Sequence, residues 1–428
     1  MPGYIEDRWW TKKPDPATGK KRKTARYGQG KRYRVAGIPG VRDRSFEKLG
    51  GPEGALAWLA NAQTDAARGT FYDPRDGSMT LGQYVTDYYW PTLRRTPTTK
   101  EAMERRVFRH ILPFAGALPL NRIGSDEILA WQAWAEKRID VSTLRVTWRH
   151  FSSIMQAAYK AKRIPVNPFR DEDLRAPAAP KSKALAWSRS TVASVQENLG
   201  RRYQILSEAA VSSGLRQGEA FALSPDDVDG EDLRVVRQVV KTDRGLAFAP
   251  PKGNKERVAP CTAQFAEAAK RHMKEFPPIE VTLPWLDPAR PNMAWEDRPL
   301  RTVRLLVTTA RGGALNRSTF DEKQWKPALV AAEVIDPPEV DVVERNGQPP
   351  LKRVRFGMPR EHGFHVLRHT FASVVLAGGE SVTKLAEWLG HSDPAFTLRT
   401  YVHFMPRAGA RGVAALEAWL SSEDGGDL

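Results

Sequence analysis

His365-Val366-Leu367-Arg368-His369-Thr370, then Leu389-Gly390-His391, then Tyr401 stand in that order late in the 428-residue chain, and Gly214-Leu215-Arg216-Gln217-Gly218-Glu219 lies upstream. His365 and Arg368 are three apart, so on a helix they share a face, with Leu367, Phe371, Val374 and Val375 forming the opposite, buried face. Gly378-Gly379 ends that helix, Ser381 caps the next, and Gly390 terminates the latter so that His391 falls on its rim. Asp393-Pro394 opens a third helix that carries Tyr401. Gly214 suits the left-handed position that stops a helix spanning 201–213. Arg216 then projects from a tight turn before a short helix over 217–223, with Glu219 close enough to orient its guanidinium. The polar residues thus fall at helix ends or on one exposed face. Two arginines, two histidines and a tyrosine suit phosphodiester chemistry. Tyrosine, with an ordinary pKa of about 10, needs cations on the phosphate and a neighbour to take its proton.

Composition points to a polyanionic partner. The chain has 66 Lys and Arg against 50 Asp and Glu, a formal charge of +16. Residues 1–44 hold 13 Lys and Arg against 4 Asp and Glu, so nine of the sixteen excess charges lie at one end. Such focusing reads as an arm that grips nucleic acid. Hydrophobic residues at 41% with 13 Trp supply packed cores, and the length suits two or three domains. A single cysteine, Cys261, excludes a disulfide framework and a cysteine zinc site. The opening Met1–Asp7 stretch has no apolar h-region, and no run approaches ~18 apolar residues. The expectation is a cytoplasmic chain outside the membrane.

Residues 1–70 read as a small α+β module, with strands over 31–36 and 41–46 flanking Gly37-Ile38-Pro39-Gly40. A helix over 52–67 would bury Ala55, Leu56, Trp58, Leu59 and Ala66. Trp9, Trp10, Tyr27 and Tyr33 are assigned to the core of a three-stranded sheet, leaving the interleaved Lys21, Arg22, Lys23 and Arg26 outward. Residues 79–180 read as all-α. One helix carries Leu81, Val85, Tyr88 and Tyr89, another spans 98–111, a third starts at Ser125-Asp126-Glu127, and a fourth spans 142–161. Arg105, Arg106, Arg109, Arg145 and Arg149 cluster there as a DNA-facing surface. The Pro-rich connector through Ala176-Pro177-Ala178-Ala179-Pro180-Lys181 leads to a mixed α/β, mainly α domain over 184–428. Within it, residues 235–240 and 258–260 look like strands, and the Pro-rich stretch 277–360 resists assignment. The fold expected is therefore multidomain.

No metal-ligand spacing and no phosphate-binding loop is present; Lys252-Gly253-Asn254-Lys255 is not GxxxxGK[ST]. The chemistry expected needs no cofactor, neither metal nor ATP. His369 and His403 read as packing or supporting groups, and His110, His150 and His272 stay unassigned.

Together the motifs resemble the tyrosine recombinase, or phage integrase, family. SSGLRQGEAFAL surrounds Arg216, PKGNKERVAP surrounds Lys252, HVLRHTFAS holds His365 and Arg368, LGHSD holds His391, and TLRTYVHF holds Tyr401. Thr308-Thr309-Ala310, Asn316-Arg317-Ser318 and Trp325-Lys326-Pro327-Ala328 are similar to integrases of actinobacterial phages and integrative elements. By layout, 1–70 matches an arm-binding domain, 79–180 a SAM-like core-binding domain and 184–428 the catalytic domain. The resemblance implies that Tyr401 attacks the scissile phosphate and becomes a 3′-phosphotyrosine. Arg216 and Arg368 would hold the non-bridging oxygens, with Glu219 supporting Arg216. Lys252, on a β-hairpin, would be the general acid; Lys255 competes for that place, since Gly253-Asn254 is itself a turn. His365 would help remove the tyrosine proton, and His391 would bond the phosphate.

The partners implied are double-stranded DNA attachment sites, three further copies of the chain in a tetramer, and an accessory excision or bending factor. A helix over 408–420, with Val413, Leu416 and Trp419, would either link the copies or pack on its own domain. A type IB topoisomerase shares the chemistry but not the basic arm or the C-terminal helix. A non-catalytic DNA-binding regulator would have no need of Tyr401.

Overall fold

The computed structural model describes residues 3–402 except 70, 74, 179–184 and 346–347, together with 413, 417, 420 and 421. The expected helix over 408–420, apart from residues 413, 417 and 420, lies outside the described residues, as do His403 and the end of the connector. Two units form. One comprises Met1–Leu93 with Ala102–Pro180, the other Arg94–Glu101 with Lys181–Leu428.

In the first unit, strands Tyr4–Asp7, Tyr33–Ala36 and Arg44–Phe46 make an antiparallel sheet in chain order, pairing Ile5 with Val35 and Tyr33 with Phe46. Helix Ala55–Ala67 covers it, and Val35, Ile38, Phe46, Ala55 and Ala62 are its buried centre. Leu56, expected inside, is exposed. Trp9, Trp10 and Tyr27 are not the sheet core either. The chain between the first two strands folds back through a Trp10–Lys23 bridge, so Trp9 packs tilted and Trp10 edge-on against Tyr27, with ring centroids 5.8 and 5.3 Å away. Lys23 then lies over the Tyr27 ring.

The all-α portion holds helices Leu81–Tyr84, Pro97–His110, Ser125–Glu136 and Val141–Lys160. Asp140 caps the longest by accepting from the Ser142 and Thr143 N–H groups. Its face Leu144, Phe151, Ile154, Met155 and Ala158 is fully buried against Trp131. Each large side chain so buried contributes about 1.5–3 kcal/mol. The Trp131 indole N–H donates to the His110 carbonyl, so burying that ring leaves no unpaired donor.

Beyond residue 184 the second unit holds helices Arg189–Asn198, Arg201–Ser213 and Gln217–Phe221. Residues 235–240, expected as one strand, divide between two sheets. Asp232–Val235 pairs with Arg257–Pro260, whereas Gln238–Thr242 turns back on Gly245–Ala249. The Pro-rich stretch resolves into hairpin Ile279–Pro284/Leu300–Leu305, a helical run over 317–331 and hairpin Glu339–Arg345/Gln348–Arg355. Helices His365–Ala377, Val382–Leu389 and Pro394–Tyr401 follow. The core centres on Phe221, Phe248, Phe265 and Trp325, with Trp187 stacked on Trp325. Val374, expected inside, is 65% exposed.

One backbone device places the site. Gly214 closes helix Arg201–Ser213 at φ 63°, and a Cβ there would sit 2.6 Å from the Phe371 ring. Only glycine meets both demands without strain. The turn it makes delivers Arg216 to the N-cap of helix Gln217–Phe221.

Candidate active site

A cavity of about 1190 Å³ in the second unit is lined by Arg216, Lys252, His365, Arg368 and His391. Arg368 is not on an exposed helix face; it is 1% exposed. Burial is tolerated because its guanidinium donates to the Gly214 and Leu389 carbonyls, the ends of two helices where partial negative charge collects. Burial first, then Arg216 and Arg257, push its pKa below the ordinary value, yet a guanidinium stays protonated at neutral pH.

The same Arg368 Nη2 lies 3.2 Å from His391 Nε2. An arginine only donates, so Nε2 is the accepting nitrogen and Nδ1–H is left to bond Thr397 Oγ1, 2.7 Å away. His391 is therefore neutral, in keeping with burial and Arg368 pushing it down to about 3.

Tyr401 is 1% exposed at the end of helix Pro394–Tyr401, and its hydroxyl is 2.7 Å from Nδ1 of His369. The structure thus puts His369, read from sequence as a packing or supporting group, in the place expected of His365. His365 instead lies edge-on to His369, with ring centroids 4.7 Å apart. Helical spacing explains the pair: the two are four residues apart on one face. Burial raises the Tyr401 hydroxyl to about 12, against the pull of Arg368 and Arg216. Burial and then Arg368 lower His369 to about 4, so at neutral pH it is an uncharged acceptor.

Lys252 is not on the expected hairpin: it sits in a turn, closed by the Asn254 N–H on the Pro251 carbonyl, between strands Gly245–Ala249 and Arg257–Pro260, which pair with Gln238–Thr242 and Asp232–Val235 and not with each other. Gly253 and Asn254 take φ of 83° and 56°. Lys252 and Gly253 line the cavity; Lys255 is not among its lining residues.

Glu219 has a fully buried side chain and accepts from the Arg216 backbone N–H and from Arg216 Nη1. Arg257, absent from the sequence reading, adds two bonds to the same carboxylate at 2.9 and 2.6 Å. Burial opposes the charge on Glu219, but Arg257 and then Arg216 outweigh it and hold the carboxyl well below its usual range.

No family model matches the chain. A tyrosine recombinase, XerC-like, of Caldanaerobacter subterraneus subsp. tengcongensis is 25% identical over 280 residues, covering 62% of this chain and 62% of that protein. Tyrosine recombinase XerD of Rickettsia bellii is 27% identical over 205 residues, covering 48% and 52%. The chain is homologous to tyrosine recombinases. It spans less than two thirds of the length of both of these relatives. Among solved structures, the Tn1549 transposon integrase in complex with a circular intermediate DNA shares the recombinase fold at a TM-score of 0.59 and 17% identity, over 80% of this chain and 99% of that one. A lambda integrase tetramer bound to a Holliday junction gives 0.51 at 14% identity, over 95% of each chain.

The basic residues expected to face DNA lie in the first unit of this recombinase homologue. Lys21, Arg22, Lys23 and Arg26 are exposed, though Arg22 is paired with Asp15. Arg105, Arg109 and Arg149 are exposed, whereas Arg106 and Arg145 are half-buried, bonded to the Ala102 and Pro177 carbonyls. Those two are partly spent on their own fold.

Proposed function

We propose that the chain is a site-specific DNA recombinase that cleaves and rejoins DNA through a 3′-phosphotyrosine. The observation that carries this reading is the meeting of Arg216, Lys252, His365, Arg368 and His391 on one cavity, with Tyr401 held behind it on His369. A scissile phosphate in that cavity would take bonds from Arg216 and from Arg368, whose buried Nε–H has no partner among the described residues. Two guanidiniums offset the charge that grows on the non-bridging oxygens.

Tyr401 then turns into the cavity and its oxygen bonds the phosphorus, the proton passing to His369 Nδ1. The bond from phosphorus to the 5′-oxygen breaks, and Lys252 protonates that oxygen. The phosphotyrosine keeps the energy of the broken bond, so a 5′-hydroxyl from another strand restores the backbone by the reverse path. His391, fixed as the Nδ1–H tautomer, steadies Arg368. His365 packs His369 against the tyrosine.

Residues 1–70 and 79–180 are assigned to arm-type and core-type DNA contact and 184–428 to catalysis. The setting proposed is a tetramer on paired attachment sites that integrates and excises a mobile element in the cytoplasm, with an accessory excision or bending factor. The lambda integrase tetramer supports the assembly. No described helix is long and apolar enough to cross a membrane. The test is incubation with nicked suicide duplexes tiled across the DNA flanking the gene, followed by denaturing electrophoresis. A covalent adduct on one duplex supports the reading; specific binding that never yields an adduct overturns it.

A further inference from the structure

We infer that Arg257 is a positioning residue of the phosphate site: it neutralises Glu219 so that Arg216 keeps donors for the phosphate, and it fixes the turn that carries His391. The inference rests on the recombinase reading above. Arg257 comes from strand Arg257–Pro260, 38 residues beyond Glu219, and its side chain is 5% exposed. Its Nη1 and Nη2 bond the two carboxylate oxygens of Glu219. Arg216 gives that carboxylate only Nη1 and its backbone N–H. No other bond to the Arg216 side chain occurs among the described residues, so its Nε and Nη2 are available at the cavity wall.

The division matters because one guanidinium matches one carboxylate. A fully buried carboxylate deprived of one cation draws the other into a forked pair. Without Arg257, Glu219 would take the Nε and Nη2 donors of Arg216 that the phosphate needs. With it, three charges sum to +1, and the surplus faces the cavity.

Arg257 also reaches the other half of the site. Its Nε donates to the Trp388 carbonyl at 2.7 Å, while Arg368 donates to the neighbouring Leu389 carbonyl. Both cations therefore hold the last turn of helix Val382–Leu389. Gly390 follows at φ 63°, and a Cβ there would fall 2.9 Å from Arg257 Cδ. The arginine packs on bare backbone, and His391 is the next residue.

The experiment uses the duplex on which the wild-type chain forms its adduct, made with an ordinary scissile phosphate or with a neutral methylphosphonate in its place. Arg257→Met is expected to slow adduct formation by ~10²-fold on the phosphate and much less on the methylphosphonate, which has lost the charge that Arg216 meets. Arg257→Lys, which keeps the cation, should recover part of the rate. Glu219→Gln added to Arg257→Met should raise the rate above that of Arg257→Met alone, because the competing carboxylate is gone. Melting temperatures accompany each variant. Equal losses on both duplexes with no recovery in the double variant would mean a scaffold role and overturn the inference, as would an Arg257→Met rate equal to wild type. Absence of a wild-type adduct from every bound duplex overturns the recombinase reading itself, which separates the two failures.

Discussion

The Tyr401 hydroxyl and His369 Nδ1 are 2.7 Å apart, the tyrosine buried, the histidine half-buried and both uncharged at neutral pH. The proton between them has little tendency to leave while the tyrosine is held near 12 and the histidine near 4. In the proposed reaction, phosphate-bound cations and the forming bond to phosphorus would shift that balance, leaving the pair quiet at rest and competent on DNA. Replacing His369 by Asn should slow single-turnover adduct formation by ~10²-fold or more, in the range for a positioned general base, without weakening DNA binding. An unchanged rate would reduce the contact to packing.

Lys252 and Lys255 separate by the leaving group. A duplex whose scissile 5′-oxygen is replaced by sulfur needs no acid, since a thiolate leaves unaided. Lys252→Ala should lose ~10²-fold or more on the oxygen duplex and regain most of it on the sulfur duplex. Lys255→Ala, outside the cavity lining, should show neither effect.

Acid should destabilise the second unit in a defined window. His391 is held near 3 and His369 near 4, chiefly by burial, against 6.5 when unfolded. Between those values the unfolded chain binds protons that the folded one refuses, so stability is fully present above about 6.5 and lost as pH falls. Glu219, also lowered on folding, adds its loss only below its ordinary 4.5. Thermal melts at pH 7.5 and 5.0 should differ in that direction, and His369→Asn should narrow the gap.

Gly214→Ala should destabilise the same unit by about 1–3 kcal/mol, from a left-handed φ and from crowding the Phe371 ring. The Tm would fall, and adduct formation would fall further, because the Gly214 carbonyl holds Arg368.

What was legible in the chain was whatever local spacing encodes. Gly214 after a helical run announced the turn that presents Arg216, and Gly390 announced the turn before His391. Arg257 could not be read, because its partner lies 38 residues away and a single Arg in a short strand has no pattern. His369 was within reach at four residues from His365, but nothing in that spacing says that a hydroxyl 32 residues on will arrive there. Hairpin Ile279–Pro284/Leu300–Leu305 escaped because its outward residues, among them Ile279 and Leu300, blur the alternation by which strands are recognised. Arg368 and Tyr401 were expected on an exposed face. Their burial depends on helix-end carbonyls and on His369, which only the folded chain assembles.

Whether Tyr401 is the proposed nucleophile is read out by digestion of the protein–DNA adduct followed by peptide mass spectrometry. One modified peptide is expected, with a 3′-phosphate ester on Tyr401, and no adduct from Tyr401→Phe bound to the same duplex. An adduct that persists in Tyr401→Phe, or a nucleotide attached to any other residue, would contradict it.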